Sequence, residues 1–502
     1  MSVLQRRTFL ASTAAGLGLS GLLQSLGPLS AADVTIDRGI ARFSSDIEPL
    51  VRFLEETPQQ SIIEETAKRV KAGLSYRELL AALLLAGVRN VEPRPSVGFK
   101  FHAVLVVNSA HLASISGPDE DRWLPIFWAI DNFKSSQARD VREGNWTLPA
   151  VEESALPAAN QAEKALRTSL DRWDESASDA AITSLVRHYG ANRVFEVLSA
   201  YAARDFRSIG HKVIYLSNAF RTLQTVGWEY AEPVMRSLVY AMLNHNGEPN
   251  PSTSDLEADR PGRINRIAAE NISASLAGGT VDDVATRDLV RTLHDCSPIE
   301  ASELVAELIE KNIAVQSIWN GLFAAAGELL MRQRGIVSLH SVTTTNAIHH
   351  AFSAATDEQT RKVLLLQNAS FLPMFRDAAA GRGALDKTRI DELASTQPTD
   401  HSPTVAEVFE TMGKSRKEAS LQMYQLLSAG GNPQDVVDHA RRLVFLKGND
   451  SHDYKFSSAA LEDYRVLSPP WRNRFLAAST FQLCSPAEET RPLVTRIQSA
   501  IG

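Results

Sequence analysis

Four histidines in this chain sit in similar local sequences, and histidine is the commonest side-chain ligand of divalent metals. His102 is followed by Ala103-Val104-Leu105-Val106-Val107 and then Asn108-Ser109-Ala110; His211 leads through Lys212-Val213-Ile214-Tyr215-Leu216 to Ser217-Asn218-Ala219. His340 leads through Ser341-Val342-Thr343-Thr344 to Thr345-Asn346-Ala347, and His452 through Asp453-Tyr454-Lys455-Phe456 to Ser457-Ser458-Ala459-Ala460. Each histidine precedes mostly apolar, aromatic or β-branched residues and then a cluster of small ones. The pattern recurs at intervals of roughly 110–130 residues, too long for a solenoid. Small residues let helices approach closely, and metal sites in helical proteins are built from side chains on facing helices. A single histidine is more often a core or surface residue than a ligand; the recurrence is what marks these.

Helix phase sorts the neighbouring candidates. At about 100° per residue, His111 and His349 lie on the opposite faces from His102 and His340. Asn108 and Asn346 also point away from those histidines and read as packing or hydrogen-bonding residues. Asn218 shares a face with His211 and could orient it. His452 and Lys455 are neighbours on one face. An ammonium beside a metal ligand is electrostatically wrong. A neutral amine that has captured carbon dioxide as a carbamate would instead supply an anionic oxygen ligand. Four neutral imidazoles and one carbamate leave a divalent metal with a net charge near +1 and room for an exchangeable ligand.

These side chains need helices to position them, and helix signals run along the whole chain. Breakers or caps precede every candidate: Pro93, Pro95 and Gly98 before His102, Gly210 before His211, Gly335 before His340, and Gly448 with Asp450 before His452. Each histidine should therefore fall in the first turns of a helix, where the partial positive charge keeps an imidazole neutral. Ser75-x-x-Glu78 and Ser297-Pro298-x-Glu300 read as capping boxes. Segments 159–173, 229–244, 300–312, 416–428 and 434–446 carry apolar residues at helical spacing. Alternating β-branched runs are scarce. The expected linkers are Asn246–Asp255, Ala378–Asp386 and Ala394–Pro403. The expectation is an all-α chain: one body of about twenty helices over 33–502, with scope for two lobes.

The chain opens with Gln5-Arg6-Arg7-Thr8-Phe9-Leu10 and an apolar stretch ending at Ser30-Ala31-Ala32. This resembles a twin-arginine signal peptide, which implies export of a folded protein by the twin-arginine translocase to the periplasm or beyond. Within it, Gly16-x-Gly18-x-x-Gly21 mimics a dinucleotide fingerprint but lies in a segment to be removed; no NAD(P) or flavin motif follows. A net charge of −7 with interspersed signs argues against nucleic acid. No later stretch approaches the ~20 uninterrupted apolar residues of a membrane span. Cys296 and Cys484 are too few for a disulfide framework or zinc knuckle; they could pair in an oxidising compartment but read first as two buried free thiols.

Taken together, these motifs resemble the questin oxidase family, helical proteins that oxidatively open polyketide and anthraquinone rings. The resemblance rests on Gly210-His211, on Leu339-His340-Ser341-Val342 with Thr345-Asn346-Ala347, and on Asp450-Ser451-His452-Asp453-Tyr454-Lys455. The stretch from Gln359 to Arg376, with Leu364-Leu365-Leu366-Gln367-Asn368-Ala369, also carries it. Members are described as Baeyer–Villiger-type oxidases and as non-haem iron dioxygenases with four histidines and a carboxylated lysine. The resemblance implies His211, His340, His452 and Lys455 as iron(II) ligands, with His102 as the fourth histidine and His111 as its rival. It implies a small-molecule substrate of aromatic or quinone-like type. A zinc or manganese hydrolase with the same histidine cage, or a non-catalytic scaffold of the cell envelope, is the alternative. The resemblance assigns no role to Lys212 or to Trp123-Leu124-Pro125-Ile126-Phe127-Trp128; those aromatics could line a planar pocket or pack in the core.

Overall fold

The computed structural model describes residues 39–94, 98–243, 247–395 and 402–502. Among them the chain forms 23 α-helices and no strand. Extended contacts reduce to two isolated bridges, Ile40 with Pro149 and Thr280 with Ile313. The twin-arginine segment with its glycine motif, Pro95, and parts of the first and third expected linkers lie outside the described residues. The second, Ala378–Asp386, begins inside a helix, because Glu358–Ala380 continues through its first three residues.

Local signals set where the helices begin. The Ser75 hydroxyl accepts from the Glu78 amide at 3.2 Å while the Glu78 carboxylate accepts from the Ser75 amide at 3.2 Å. Ser297 and Glu300 repeat this reciprocal cap, as do Thr404 with Glu407 and Asp450 with Asp453. Each N-cap is worth about 1 kcal/mol. All five segments with helical spacing are helical, the cores being Ala162–Arg172, Ala231–Met242, Pro298–Glu310, Arg416–Ser428 and Pro433–Lys447.

One contiguous buried cluster runs from Ala41 to Ile497. Deep within it lies the helix Ile336–Ala354, packed against the helices His211–Val226, Val315–Arg332, Glu358–Ala380 and Ser451–Val466. A helix surrounded on so many sides cannot carry bulky residues all round, and its middle reads Ser341-Val342-Thr343-Thr344-Thr345-Asn346-Ala347, every one of them buried. Their hydroxyls are satisfied locally or by neighbours. Ser341 donates to the carbonyls of Ser338 at 2.7 Å and Ala326 at 3.2 Å, and Ser217 donates to the Ala347 carbonyl at 2.8 Å. The small-residue clusters after the histidines are thus the surfaces along which the site helices meet. Cys296 and Cys484 are both free; Cys484 is buried, but Cys296 is only half-buried, because it lies in the turn before the helix Pro298–Glu310.

Candidate metal centre

His211 opens the helix His211–Val226 directly after two left-handed residues, Ile209 at φ 42° and Gly210 at φ 80°. A Cβ at Gly210 would run into the Thr344 side chain, so glycine is needed both for its φ and for the close approach. A β-branched residue at positive φ costs about 1–3 kcal/mol, and such strain persists where surrounding structure imposes it. A buried ion pair spans this loop: Lys212 Nζ lies 2.8 and 2.9 Å from the Asp205 carboxylate oxygens, and both side chains are buried. Lys212, left without a role by the sequence, fixes the loop 205–210. That loop in turn supplies the Ser208 carbonyl, which accepts from His211 Nδ1 at 2.7 Å.

The other histidines are held in related ways. His340 is the fifth residue of Ile336–Ala354, and its Nδ1 donates to the Ile336 carbonyl one turn back at 2.6 Å. His452 is the second residue of Ser451–Val466; the capping Asp450 accepts from its backbone amide at 2.6 Å and stands 3.2 Å from its Nδ1. His102 begins the short helix His102–Leu105, after the 3-10 turn Phe99–Phe101. Asn218 donates to the Leu105 carbonyl at 2.9 Å. It therefore braces the helix that bears His102 instead of orienting His211.

Three ring nitrogens converge. His211 Nε2 lies 2.9 Å from His102 Nε2 and 3.0 Å from His340 Nε2. His102, His211 and His340 each offer a nitrogen, and the three atoms lie within 4.8 Å of one another. Because a carbonyl only accepts, Nδ1 of His211 and of His340 must carry the proton. Each Nε2 of a neutral ring then turns a bare lone pair towards the other. Double protonation would be the escape, but burial pushes all three rings well below the usual histidine range, with the Lys455 charge and neighbouring rings adding to it. Lone pairs facing at such distances call for a shared cation. Ligand atoms about 2.1 Å from one ion stand about 3.0 Å apart when they subtend about 90°, and about 3.4 Å apart in a tetrahedron. The two spacings at His211 fit ligand atoms about 90° apart, as in an octahedral arrangement with His211 adjacent to both other nitrogens.

His452 and Lys455 border this group. The His452 ring centroid is 4.5 Å from that of His102 and 5.2 Å from that of His340, both edge-on. Lys455 is buried, its Nζ has no hydrogen-bond partner, and burial brings its pKa from 10.5 down to about 7. His111 and His349 stand elsewhere. The Tyr76 hydroxyl is 3.0 Å from His111 Nδ1 and the Thr225 hydroxyl 3.2 Å from its Nε2, so both ring nitrogens have partners. His349 packs edge-on to Trp319 and Phe323. Of the two N-terminal candidates, His102 joins the cluster and His111 does not.

Asn108 and Asn346, expected to pack or hydrogen-bond away from the histidines, line a small polar cavity with Asn218, Arg221, Glu462 and Lys455. They do point away from the histidines, but the helices cross so that this direction leads to the lysine. Asn346 donates to Asp463 at 2.6 Å and Glu462 at 2.9 Å, while Arg221 grips the Glu462 carboxylate at 2.8 and 3.0 Å. The tryptophan-rich motif is structural: Trp128 stacks on Tyr454 at 4.2 Å between centroids, supporting the turn that carries His452 and Lys455, and Trp123 packs on Tyr76 and Phe127. No protein-family model, curated protein or solved structure matches this chain.

Proposed function

We propose that His102, His211, His340 and His452, with Lys455, hold one divalent metal, and that the protein is a metal-dependent oxidoreductase of the non-haem iron oxygenase type. The observation that carries this reading is that the Nε2 lone pairs of His211 and His340, whose Nδ1 protons are fixed by carbonyls, face each other at 3.0 Å with His102 Nε2 beside them. The spacing near 3.0 Å favours a six-coordinate ion over the tetrahedral geometry usual for zinc. Iron(II) held there would supply the electron transfer that dioxygen chemistry needs. The chain's own part is positional. Ser208 and Ile336 fix the tautomers of His211 and His340, and Asp450 holds the His452 ring with its far nitrogen free. A neutral Lys455 amine, buried with no protein partner, is suited to take up carbon dioxide and present an anionic oxygen. Apolar helices bury His211, His340 and Lys455, while His102 and His452 stay partly exposed. The amino-terminal twin-arginine pattern adds export of the folded, loaded protein to this reading.

Metal analysis of protein purified without added metal, followed by oxygen consumption against a panel of phenols and quinones, tests the proposal. About one iron per chain and substrate-dependent oxygen uptake are expected. Stoichiometric zinc with no oxygen uptake would point to a hydrolase, and no bound metal after anaerobic iron(II) loading would remove the centre. NMR with ¹³C-bicarbonate tests the carbamate: a signal present in the wild type and lost in Lys455→Met is expected.

A further inference from the structure

A second, larger cavity adjoins the polar one that holds Lys455. It has a volume of about 230 Å³ and lies between the helices Val107–Ser116, Pro433–Lys447 and Ser451–Val466. Its floor is apolar, formed by Leu112, Ala113, Val444, Phe445 and the ring of Tyr454. Gly117 leaves room for Phe445, since a Cβ there would strike that ring. The exposed Ile115 extends the apolar rim. Ser458 and Glu462 line both cavities, so the larger one is the outer chamber and the lysine cavity its inner end.

The charges around the outer chamber do not balance. Glu462 is already paired with the Arg221 guanidinium and accepts from the Asn346 amide. Arg441 and Arg465 also line the chamber, and among the described residues neither side chain makes a hydrogen bond or ion pair. Arg441 is half-buried, and the nearby Arg465 charge adds to the burial that already disfavours its own. Asp438, one turn earlier, offsets only part of this and is itself engaged by Gln434. Arg441 is half-buried and Arg465 is exposed at the mouth, so an anion entering the chamber meets one shielded and one open guanidinium. Guanidinium forks match a carboxylate with two parallel hydrogen bonds.

We propose that this outer chamber binds a small organic anion, a carboxylate joined to a flat apolar body, with Arg441 and Arg465 on the charge and Phe445 and Tyr454 under the body. Naming this anion as the substrate class rests on the metal-site reading above; the binding itself does not. Held there, the ligand is separated from the lysine cavity by Ser458 and by Glu462, which Arg221 holds. Arg441 and Arg465 are thus specificity-determining residues on the approach to the metal.

Calorimetric titration of the full chain with benzoate, and with benzyl alcohol as its neutral match, tests this. Both metal-loaded and chelator-treated protein are used, so that direct ligation of benzoate to the metal is separated from binding in the chamber. Saturable benzoate binding in both forms is expected, weakened about tenfold by Arg441→Gln and again by Arg465→Gln, with benzyl alcohol little affected. Metal content measured on the same samples should be unchanged by either substitution. Equal benzoate affinity in the double variant, or no saturable binding to the wild type, overturns the proposal. Loss of the metal reading would appear separately, as wild-type protein that takes up no metal yet still binds benzoate.

Discussion

Replacing Lys455 with methionine should move stability and metal binding in opposite directions. The wild-type amine is buried without a partner, and its pKa falls from 10.5 to about 7. For a lysine depressed in this way the neutral form is the one the fold tolerates. The unfolded chain takes up a proton below pH 10.5 and the folded chain does not until about pH 7, so stability is lost as the pH falls through that window. At pH 7.4 the cost is about three pKa units, or about 4 kcal/mol. Methionine is similar in length and fills the same space at a cost below about 1.5 kcal/mol. The metal-free, carbon-dioxide-free variant should therefore be more stable by about 2–4 kcal/mol. For a body of this size that is a rise in melting temperature of about 2–4 °C. The same substitution removes the anionic ligand, so iron(II) uptake should weaken and the stabilisation that iron gives the wild type should shrink. Thermal scans of metal-free and iron-loaded protein under nitrogen, with metal content measured alongside, read both effects. A metal-free variant that melts below the wild type would mean that the amine is stabilised by a partner, and the reasoning would fail. Unchanged iron content would remove Lys455 from the ligand set.

Three further outcomes follow from the same geometry. The lowered pKa values of His102, His211 and His340 mean that their neutral forms stabilise the fold fully above about pH 6.5, and that this is lost as the pH falls; each ring costs about 1.4 kcal/mol per unit. The urea midpoint of metal-free protein should drop steeply between pH 6.5 and 5.5, and a flat profile would contradict neutral burial. Gly210→Ala should destabilise by about 2–4 kcal/mol, combining a positive φ with a clash on Thr344, and should lower metal occupancy because it displaces His211; a change under 1 °C in melting temperature would show that the turn is not constrained. Lys212→Met should cost about 3–5 kcal/mol by stranding the buried Asp205 carboxylate, and adding Asp205→Asn should recover part of it in a double-mutant cycle; additive losses would argue against the pair.

What could be read along the chain was whatever is settled within a turn or two of helix. The caps at Ser75 and Ser297 form between residues three apart, so their types and spacing suffice to place them. Gly210 announces a helix start because no other residue takes its φ cheaply, and it puts His211 in the first turn as expected. Recurrence of one local pattern picked out the histidines, since close-packed helices need small residues wherever they cross. Tertiary structure decided everything that depends on which helices cross. It brought His102 to the cluster and gave His111 to Tyr76 and Thr225, a choice helical phase could not make between two histidines on one stretch. It turned Asn108 and Asn346 towards Lys455, because directions on a single helix say nothing about the neighbour they face. It found partners for Lys212 and Trp128 in Asp205 and Tyr454, residues whose pairing has no signature in either sequence neighbourhood. The chain thus specifies its helix starts by local hydrogen bonding, and only the packing of helices more than a hundred residues apart turns three of those starts into one nitrogen-lined site.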